Sequence, residues 1–475
     1  MSSSPSEELA IDRSDEKPSS DRPARALPRG VHDMTQGSVR GHVIRMMLFV
    51  LAGMTIQTLY GLVDIYWVGR LGKQAVAAVV LSSNLMFVSL AVTQMLSVGC
   101  VALVSQAAGK KQHAEVQRLF NQAQGLATLL GLLFLAVCLA LRRTYAEKLS
   151  GDAVTAALAS TFLTSFIPAL ALQFTVVGLG SALRGIGDMK PGLVAQMASV
   201  VVNMILAPFL VFGWIGGHPL GVAGASLATL ISTMGAVVGL MIYLVGGNTF
   251  LRLRLADLRP DFATWRSMLG IGLPAGAEFL VMSIMMGVVY AVTRPFGSQA
   301  QAGYGVGSRL MQAGFIPAVS ISFAAAAVVG QNFGSRAFAR VHETFRESAK
   351  LTVGFMIFFT VLCHLAPHTL VGLFSEDPSV VAVGVDYLKT ISWGYVASGI
   401  VFVSSGVLQG IGNTWPSLAA SAIRALVFVV CVVIMSRASD FTMQRIWVLL
   451  LACTVLQVVV QQILLRRELA ARAPV

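Results

Sequence analysis

Two acidic side chains stand where an acid is costly to keep. Asp64 falls deep in the apolar run at about 46 to 68, and Glu278 lies four residues beyond Pro274 in the run at about 267 to 293. An ionisable group at membrane depth is expensive, so it marks a task by default. Removing a carboxyl group from water favours its protonated form, which is what a proton carrier needs. A proton crossing a membrane brings roughly 2.3 kcal/mol per 100 mV besides its concentration term. The bland alternatives are a headgroup contact for Asp64 and an ion pair for Glu278 with Arg309 or Arg424, the two basic residues left inside apolar runs.

The surroundings of these acids decide what kind of molecule holds them. The chain has 475 residues, of which 56% are hydrophobic and 12% charged, with a mean hydropathy of +0.75, too apolar for a water-soluble domain to cover. Backbone groups left unpaired in hydrocarbon are costly, so the chain must cross a bilayer as helices of about 20 residues each. Six apolar runs are expected at about 46 to 68, 75 to 107, 119 to 141, 153 to 183, 191 to 213 and 221 to 246. Six more follow at about 267 to 293, 300 to 332, 351 to 372, 390 to 410, 415 to 436 and 446 to 465. The fold class expected is all-α integral membrane, with twelve spans.

Twelve spans place both termini on one side. Lys and Arg number 23 on that side and 9 on the other, so the positive-inside rule assigns both termini to the cytoplasm of a bacterial inner membrane. The formal charge of +12 is thereby explained by topology, and no basic stripe with interleaved aromatics points to nucleic acid. Residues 1–40, rich in Ser, Pro and mixed charge, read as a disordered cytoplasmic tail. Cys100, Cys138, Cys363, Cys431 and Cys453 lie in apolar runs without metal-ligand spacing and are read as small core hydrophobes.

The two halves repeat each other. Val104, Gln106, Gly109, Val116 and Phe120 recur 225 positions later as Val329, Gln331, Gly334, Val341 and Phe345. At the same offset Leu183, Gly185, Ile186, Gly187 and Pro191 recur as Leu408, Gly410, Ile411, Gly412 and Pro416, with Asp188 answered by Asn413. An offset of six helices gives parallel repeats about an axis along the membrane normal. The expected organisation is an N-lobe at 41–247, a cytoplasmic linker at 248–266 with Arg252, Arg254 and Arg259, a C-lobe at 267–466 and a C-tail at 467–475. A cavity between such lobes is the usual place for a transported substrate.

These residues resemble the multidrug and toxic compound extrusion (MATE) transporters, closest to the bacterial DinF-like branch. The resemblance rests on LVDIYWVGRLG at 62–72, VSQAAGKKQHAEVQR after the second helix, SALRGIGDMKPG between helices 4 and 5, LGVAGASLATLIS, GLPAGAEF, and the second copies VGQNFGSRAFARV and SGVLQGIGNTWPS. It implies a V-shaped pair of lobes, a monomer, and efflux of small amphipathic, chiefly cationic compounds driven by a proton or sodium gradient, with no further cofactor.

In the family the acid of helix 1 is grouped with an Asn and often an Asp in helix 5, and a Thr in helix 6. Asn203 matches the Asn, Thr229 is the candidate for the Thr, and Ala207 replaces the second carboxylate. Losing one hard oxygen ligand tips the expectation from sodium towards protons. Other branches carry a coupling Glu one turn beyond Glu278 and an Asp near Ser398. Phe49 stands where many members have a proline that bends helix 1, leaving Gly53 and Gly61 as its sources of flexibility. Met86, Phe87, Phe174, Phe279, Met282 and Met286 are candidates for the substrate-cavity lining, since thioethers and aromatics accommodate varied amphipathic molecules. Such residues are more often plain packing. The turn at Arg184, Gly185 and Gly187 is read as architecture.

Other classes fit less well. No GxxxxGK[ST] loop supports an ATPase, and no His, Cys or Ser cluster supports an enzyme. A lipid or lipid-linked sugar flippase of the same broad superfamily is the nearest rival. A non-transporting membrane scaffold would need neither buried acid.

Overall fold

In the computed structural model the described residues are 32–214, 217–247, 249–437 and 441–474; the side chains of residues 60–65 and of residue 255 lie outside this description. The helices are α1 (Val39–Gly69), α2 (Lys73–Gly109), α3 (His113–Leu149), α4 (Ala153–Gly185), α5 (Lys190–Phe212), α6 (Val222–Val245), α7 (Phe262–Thr293), α8 (Ser298–Gly334), α9 (Phe338–Leu365), α10 (Pro367–Gly372), α11 (Pro378–Ile391), α12 (Tyr395–Ile411), α13 (Trp415–Met435) and α14 (Met443–Arg472). Twelve of the described stretches are long and apolar enough to cross a membrane, the tenth running from α11 through a 3₁₀ turn into α12. The chain is a multi-pass membrane protein.

Capping explains where several helices begin. Ser38 accepts from the Gly41 N–H, Asp152 from Thr155 and Asp261 from Ala263 and Thr264, each satisfying a first-turn donor that has no partner within the helix. Hydrophobic runs mark hydrocarbon rather than the hydrogen-bond ladder, so the helices overrun the expected spans. Helix α1 starts within the expected tail, α7 starts at Phe262 within the expected linker, and α14 continues through the expected C-tail to Arg472. At 37 residues, α2, α3 and α8 would reach about 55 Å, well past a hydrocarbon core of about 30 Å.

The repeat is built into the backbone. Gly72 and Gly297, 225 apart, precede α2 and α8 with φ of 106° and 93°. Gly187 and Gly412 turn the chain after α4 and α12 at φ of 85° and 84°. Lys111 and Arg336, again 225 apart, are the only non-glycine residues of positive φ among the described ones, at 58° and 60°. The turns after α2 and α8 therefore share one conformation. Side-chain ties repeat as well: Tyr243 donates to Asp188 at 2.6 Å, and their counterparts Glu468 and Asn413 are joined at 2.9 Å.

By the repeat, helices α1–α6 make up the first lobe and α7–α14 the second, although Trp265 and Met268 of α7 pack into the core of the first. The contacts between the lobes gather toward the face that carries both described ends, here called the terminal face. On α2 and α7, Gly99 lies under the Met268 carbonyl, Gly272 under that of Met95 and Gly276 under that of Ala91. Gly109 and Gly334 sit under the carbonyls of Gln331 and Gln106. Val43, Met46 and Met47 of α1 pack with Ile321, Ala324 and Ala327 of α8. No cross-lobe hydrogen bond or close glycine approach among the described residues lies toward the other face. There the helix surfaces are uncovered, with Val80, Phe87 and Val88 on α2 and Leu280 and Met282 on α7 all exposed. The lobes thus enclose a cleft closed at the terminal face and open opposite it.

Candidate functional site: the cleft and its two lobes

In the first lobe the structure brings Asn203 and Thr229 together. Asn203 on α5 is 1% exposed and its Nδ2 donates to the Thr229 Oγ1 at 3.3 Å, while that hydroxyl donates to the Ala225 carbonyl one turn back on α6. Ala207, one turn from Asn203, is buried, so a packed methyl and no carboxylate lies at that position. The Asp64 side chain and the surroundings of Gly61 lie outside the described residues. Helix α1 runs without a break from Val39 to Gly69, and at Gly53 a Cβ would lie 3.2 Å from the Gln196 Oε1, the movable end of a side chain on α5.

In the second lobe Glu278 is reached by a relay. Ser421 on α13 donates to the Glu278 Oε1 at 3.0 Å, Gln457 on α14 donates through Nε2 to Ser421 at 3.0 Å, and Arg424 donates through Nη1 to the Gln457 Oε1 at 2.9 Å. The carboxylate and the guanidinium share a network without touching. Arg424 is one turn from Ser421, which sets both toward α14, and its Nε is left without an acceptor among the described residues. The other candidate partner, Arg309, is exposed on α8 and makes no hydrogen bond or ion pair among the described residues.

The candidate lining divides. Met86, Phe87, Met282 and Met286 are exposed, and Phe279 is half-buried, continuing the line of Gly272 and Gly276 along α7. Phe87 is 18 residues, or five full turns, before Ser105, whose hydroxyl presses on Gly330 of α8, so it lies on the face of α2 directed at the second lobe. Phe174 is instead fully buried, packed at 5.6 Å between ring centres against Phe134 in the core of the first lobe. Its ring fills the space between α3 and α4, which a helix-wide apolar composition cannot distinguish from a cleft wall.

Three features at the terminal face escape a residue-type reading. Arg184 is more than a turn residue: its Nη2 donates to Ser97 at 2.6 Å and to Ser181 at 3.0 Å, and the guanidinium lies 5.6 Å from the Phe323 ring of the other lobe. Gln106 and Gln331 each cross to the opposite lobe, a role that their identical repeat positions already hinted at. Residues 32–38 form a strap over both lobes. The His32 N–H donates to the Ile186 carbonyl after α4, and the Met34 N–H to the Gln331 Oε1 of α8. Asn332 and Arg340 donate to the Met34 carbonyl, and Arg340 also to that of Gly37. Met34 itself is 2% exposed. Beneath the strap lies a cavity of about 70 Å³ lined in part by His32, His42, Arg45, Asp188 and Lys190. Burial and the Arg45 charge hold the His32 imidazole below its ordinary value, only partly offset by Asp188.

The architecture is that of a multi-pass membrane protein with two repeated halves. The MatE family model matches residues 50–209 and 274–434, and the chain belongs to the MatE (MATE) family. It is similar to the multidrug export protein MepA of Staphylococcus haemolyticus, 26% identical over 424 residues covering 88% of this chain and 92% of that protein. It is also similar to the probable multidrug resistance protein NorM of Thermotoga maritima, 25% identical over 384 residues covering 80% and 82%. Among solved structures, an outward-facing conformation of a multidrug resistance MATE family transporter superposes with a TM-score of 0.86 at 21% identity, over 92% of this chain and 98% of that one. A MOP superfamily transporter from Pyrococcus furiosus superposes with a TM-score of 0.85 at 22% identity and the same coverage.

Proposed function

We propose that this chain is a secondary active exporter of small amphipathic, chiefly cationic drugs or toxic compounds, exchanged for protons across a bacterial inner membrane, working as a monomer with both termini cytoplasmic. The observation that carries the reading is the cleft itself: two repeated lobes closed at one face and open at the other are one half of an alternating-access cycle. The names of the MepA and NorM relatives support drugs as cargo. The basic bias of the terminal face supports its assignment to the cytoplasm, which makes this conformation outward-open.

Asp64, with Asn203 and Thr229, is the first candidate coupling site, and Glu278 the second. Protons are favoured over sodium because dehydrating sodium calls for several hard oxygen ligands, and Ala207 supplies none. Glu278 has the fittings of a proton site: a hydroxyl at 3.0 Å whose own hydrogen bonding is completed by Gln457.

The test is efflux of a fluorescent organic cation from proteoliposomes under separate proton and sodium gradients, with Asp64→Asn and Glu278→Gln beside wild type. A proton gradient alone should drive wild type and fail to drive Asp64→Asn. Transport under neither gradient would sink the multidrug reading and point to lipid cargo instead.

A further inference from the structure

The exposed arginine of the cleft has no task in the coupling scheme, and its position on α8 can be worked out from the helix's own contacts. Ser320 lies against Met54 of α1, with its Oγ 3.6 Å from the Met54 Sδ, and Ala324 and Ala327 pack on the same helix. At 100° per residue, Ala313 and Arg309 fall within about 20° of Ser320, so one face of α8 carries all five. Towards the terminal face α1 covers it. Beyond Ser320 that cover ends, and Ala313 and Arg309 are exposed, while Tyr304, Ser308 and Met311 on the other side are buried in the second lobe. Allowing for the bend at Pro317, Arg309 thus lies on the side of α8 that α1 covers nearer the terminal face, beyond the point where that cover ends.

Its depth matters too. Arg309 is eleven residues into α8, about 16 Å from the first turn of a helix about 55 Å long; centred on a hydrocarbon core of about 30 Å, that helix would hold Arg309 within the half away from the terminal face. A guanidinium facing lipid there is costly, whereas one facing a water-filled cleft is hydrated. No carboxylate among the described residues pairs with it. Glu278 is engaged with Ser421 on the far side of α7, and the remaining in-span arginine, Arg424, is engaged with Gln457.

We propose that Arg309 is a specificity-determining residue of the cleft, which favours amphipathic substrates that carry a carboxylate or similar anionic group beside their cationic and apolar parts. This rests on the exporter reading and narrows its substrate class. The guanidinium presents a planar fork of N–H donors that matches a carboxylate, and in an open cleft it repels a purely cationic cargo.

The experiment compares two dyes that differ in one group: rhodamine 6G, an ethyl ester and a monocation, and rhodamine 19, the corresponding free acid and a zwitterion. Efflux from proteoliposomes under a proton gradient is measured for wild type, Arg309→Gln and Arg309→Lys. The proposal predicts that Arg309→Gln lowers kcat/KM for the acid about ten-fold, the scale of one charge-assisted contact, and leaves the ester within about two-fold, with Arg309→Lys intermediate. An equal loss for both dyes would mean a structural or headgroup role and would overturn it, as would an unchanged acid. If wild type moves neither dye, the exporter reading fails and this inference falls with it; if wild type moves the ester and Arg309→Gln leaves the dye ratio unchanged, this inference alone falls.

Discussion

Gln106 donates through its side-chain amide to the Gly410 carbonyl at 2.9 Å, and 225 residues on, Gln331 donates in the same way to Gly185 at 3.2 Å. Each glutamine closes off a carbonyl at the end of a helix in the opposite lobe, one that the helix itself leaves unpaired. The two hydrogen bonds form only when the lobes meet at the terminal face. They are the repeat's own latch, written twice.

The latch needs glycine beneath it. A Cβ at Gly334 would lie 2.1 Å from the Gln106 carbonyl oxygen, and one at Gly109 would lie 1.9 Å from that of Gln331. Gly334→Ala should therefore wedge the lobes apart at the terminal face without disturbing either lobe's core. Ser105→Cys, at a position with no exposure, reports this: its alkylation by a membrane-impermeant maleimide from the terminal side should accelerate in the Gly334→Ala background.

Gln331 carries more than Gln106, because its Oε1 also accepts from the buried Met34 N–H of the strap. Gln331→Ala leaves a buried donor and a buried carbonyl without partners, a cost of about 1–3 kcal/mol for each group. Gln106→Ala strands only the Gly410 carbonyl. The melting temperature of the detergent-solubilised protein should fall further for Gln331→Ala, and equal shifts would contradict this ranking.

The strap should loosen in acid. Burial and Arg45 hold the docked His32 below its ordinary value of 6.5, so the docked strap binds fewer protons than the free one. The His32 contribution to docking is therefore fully present above that value and is lost as the pH falls through the lowered one, leaving the hydrogen bonds at Met34 and Gly37 to hold the strap. Alkylation of Met34→Cys, referred to the denatured protein at each pH, should speed up between about pH 7 and pH 5, and His32→Gln should flatten the dependence. A profile unchanged by His32→Gln would rule the imidazole out.

Glu278→Gln keeps a group able to accept from Ser421 but removes the exchangeable proton. If Glu278 carries protons, proton-driven efflux should fall by roughly tenfold or more, about 1.4 kcal/mol in the barrier, while the melting temperature stays near that of wild type. Ser421→Ala is the converse. It breaks the relay at 3.0 Å on both sides and should cost stability while leaving coupling partly intact. Silence of both variants would reduce the relay to packing.

The legible part of this molecule was whatever periodicity and repetition could carry. Hydropathy located twelve spans, and the shared offset of Gln106 and Gln331 exposed the two lobes before any contact was known. The joining of Asn203 to Thr229 was anticipated through the family pattern. The partners of Glu278 were not, because Ser421 and Gln457 are ordinary polar residues on helices more than 140 positions away, and nothing local marks them. Phe174 and Phe87 are alike by composition, yet one fills a core and the other meets the cleft. The strap was hidden by its setting: Met34 follows a polar, low-complexity tail, and its burial depends on Gln331 and Asn332 nearly 300 residues later.

The central claim is that the lobes exchange one closed face for the other. Paired spin labels test it most directly, in the reconstituted protein stripped of its native cysteines, with one pair at Lys110 and Ser335 on the terminal face and another at Lys73 and Gln299 on the open face, all exposed positions. Between pH values on either side of neutrality, and with and without substrate, the account predicts opposite changes: the terminal pair separates as the outer pair closes. Distances that stay fixed in both pairs while transport proceeds would contradict it.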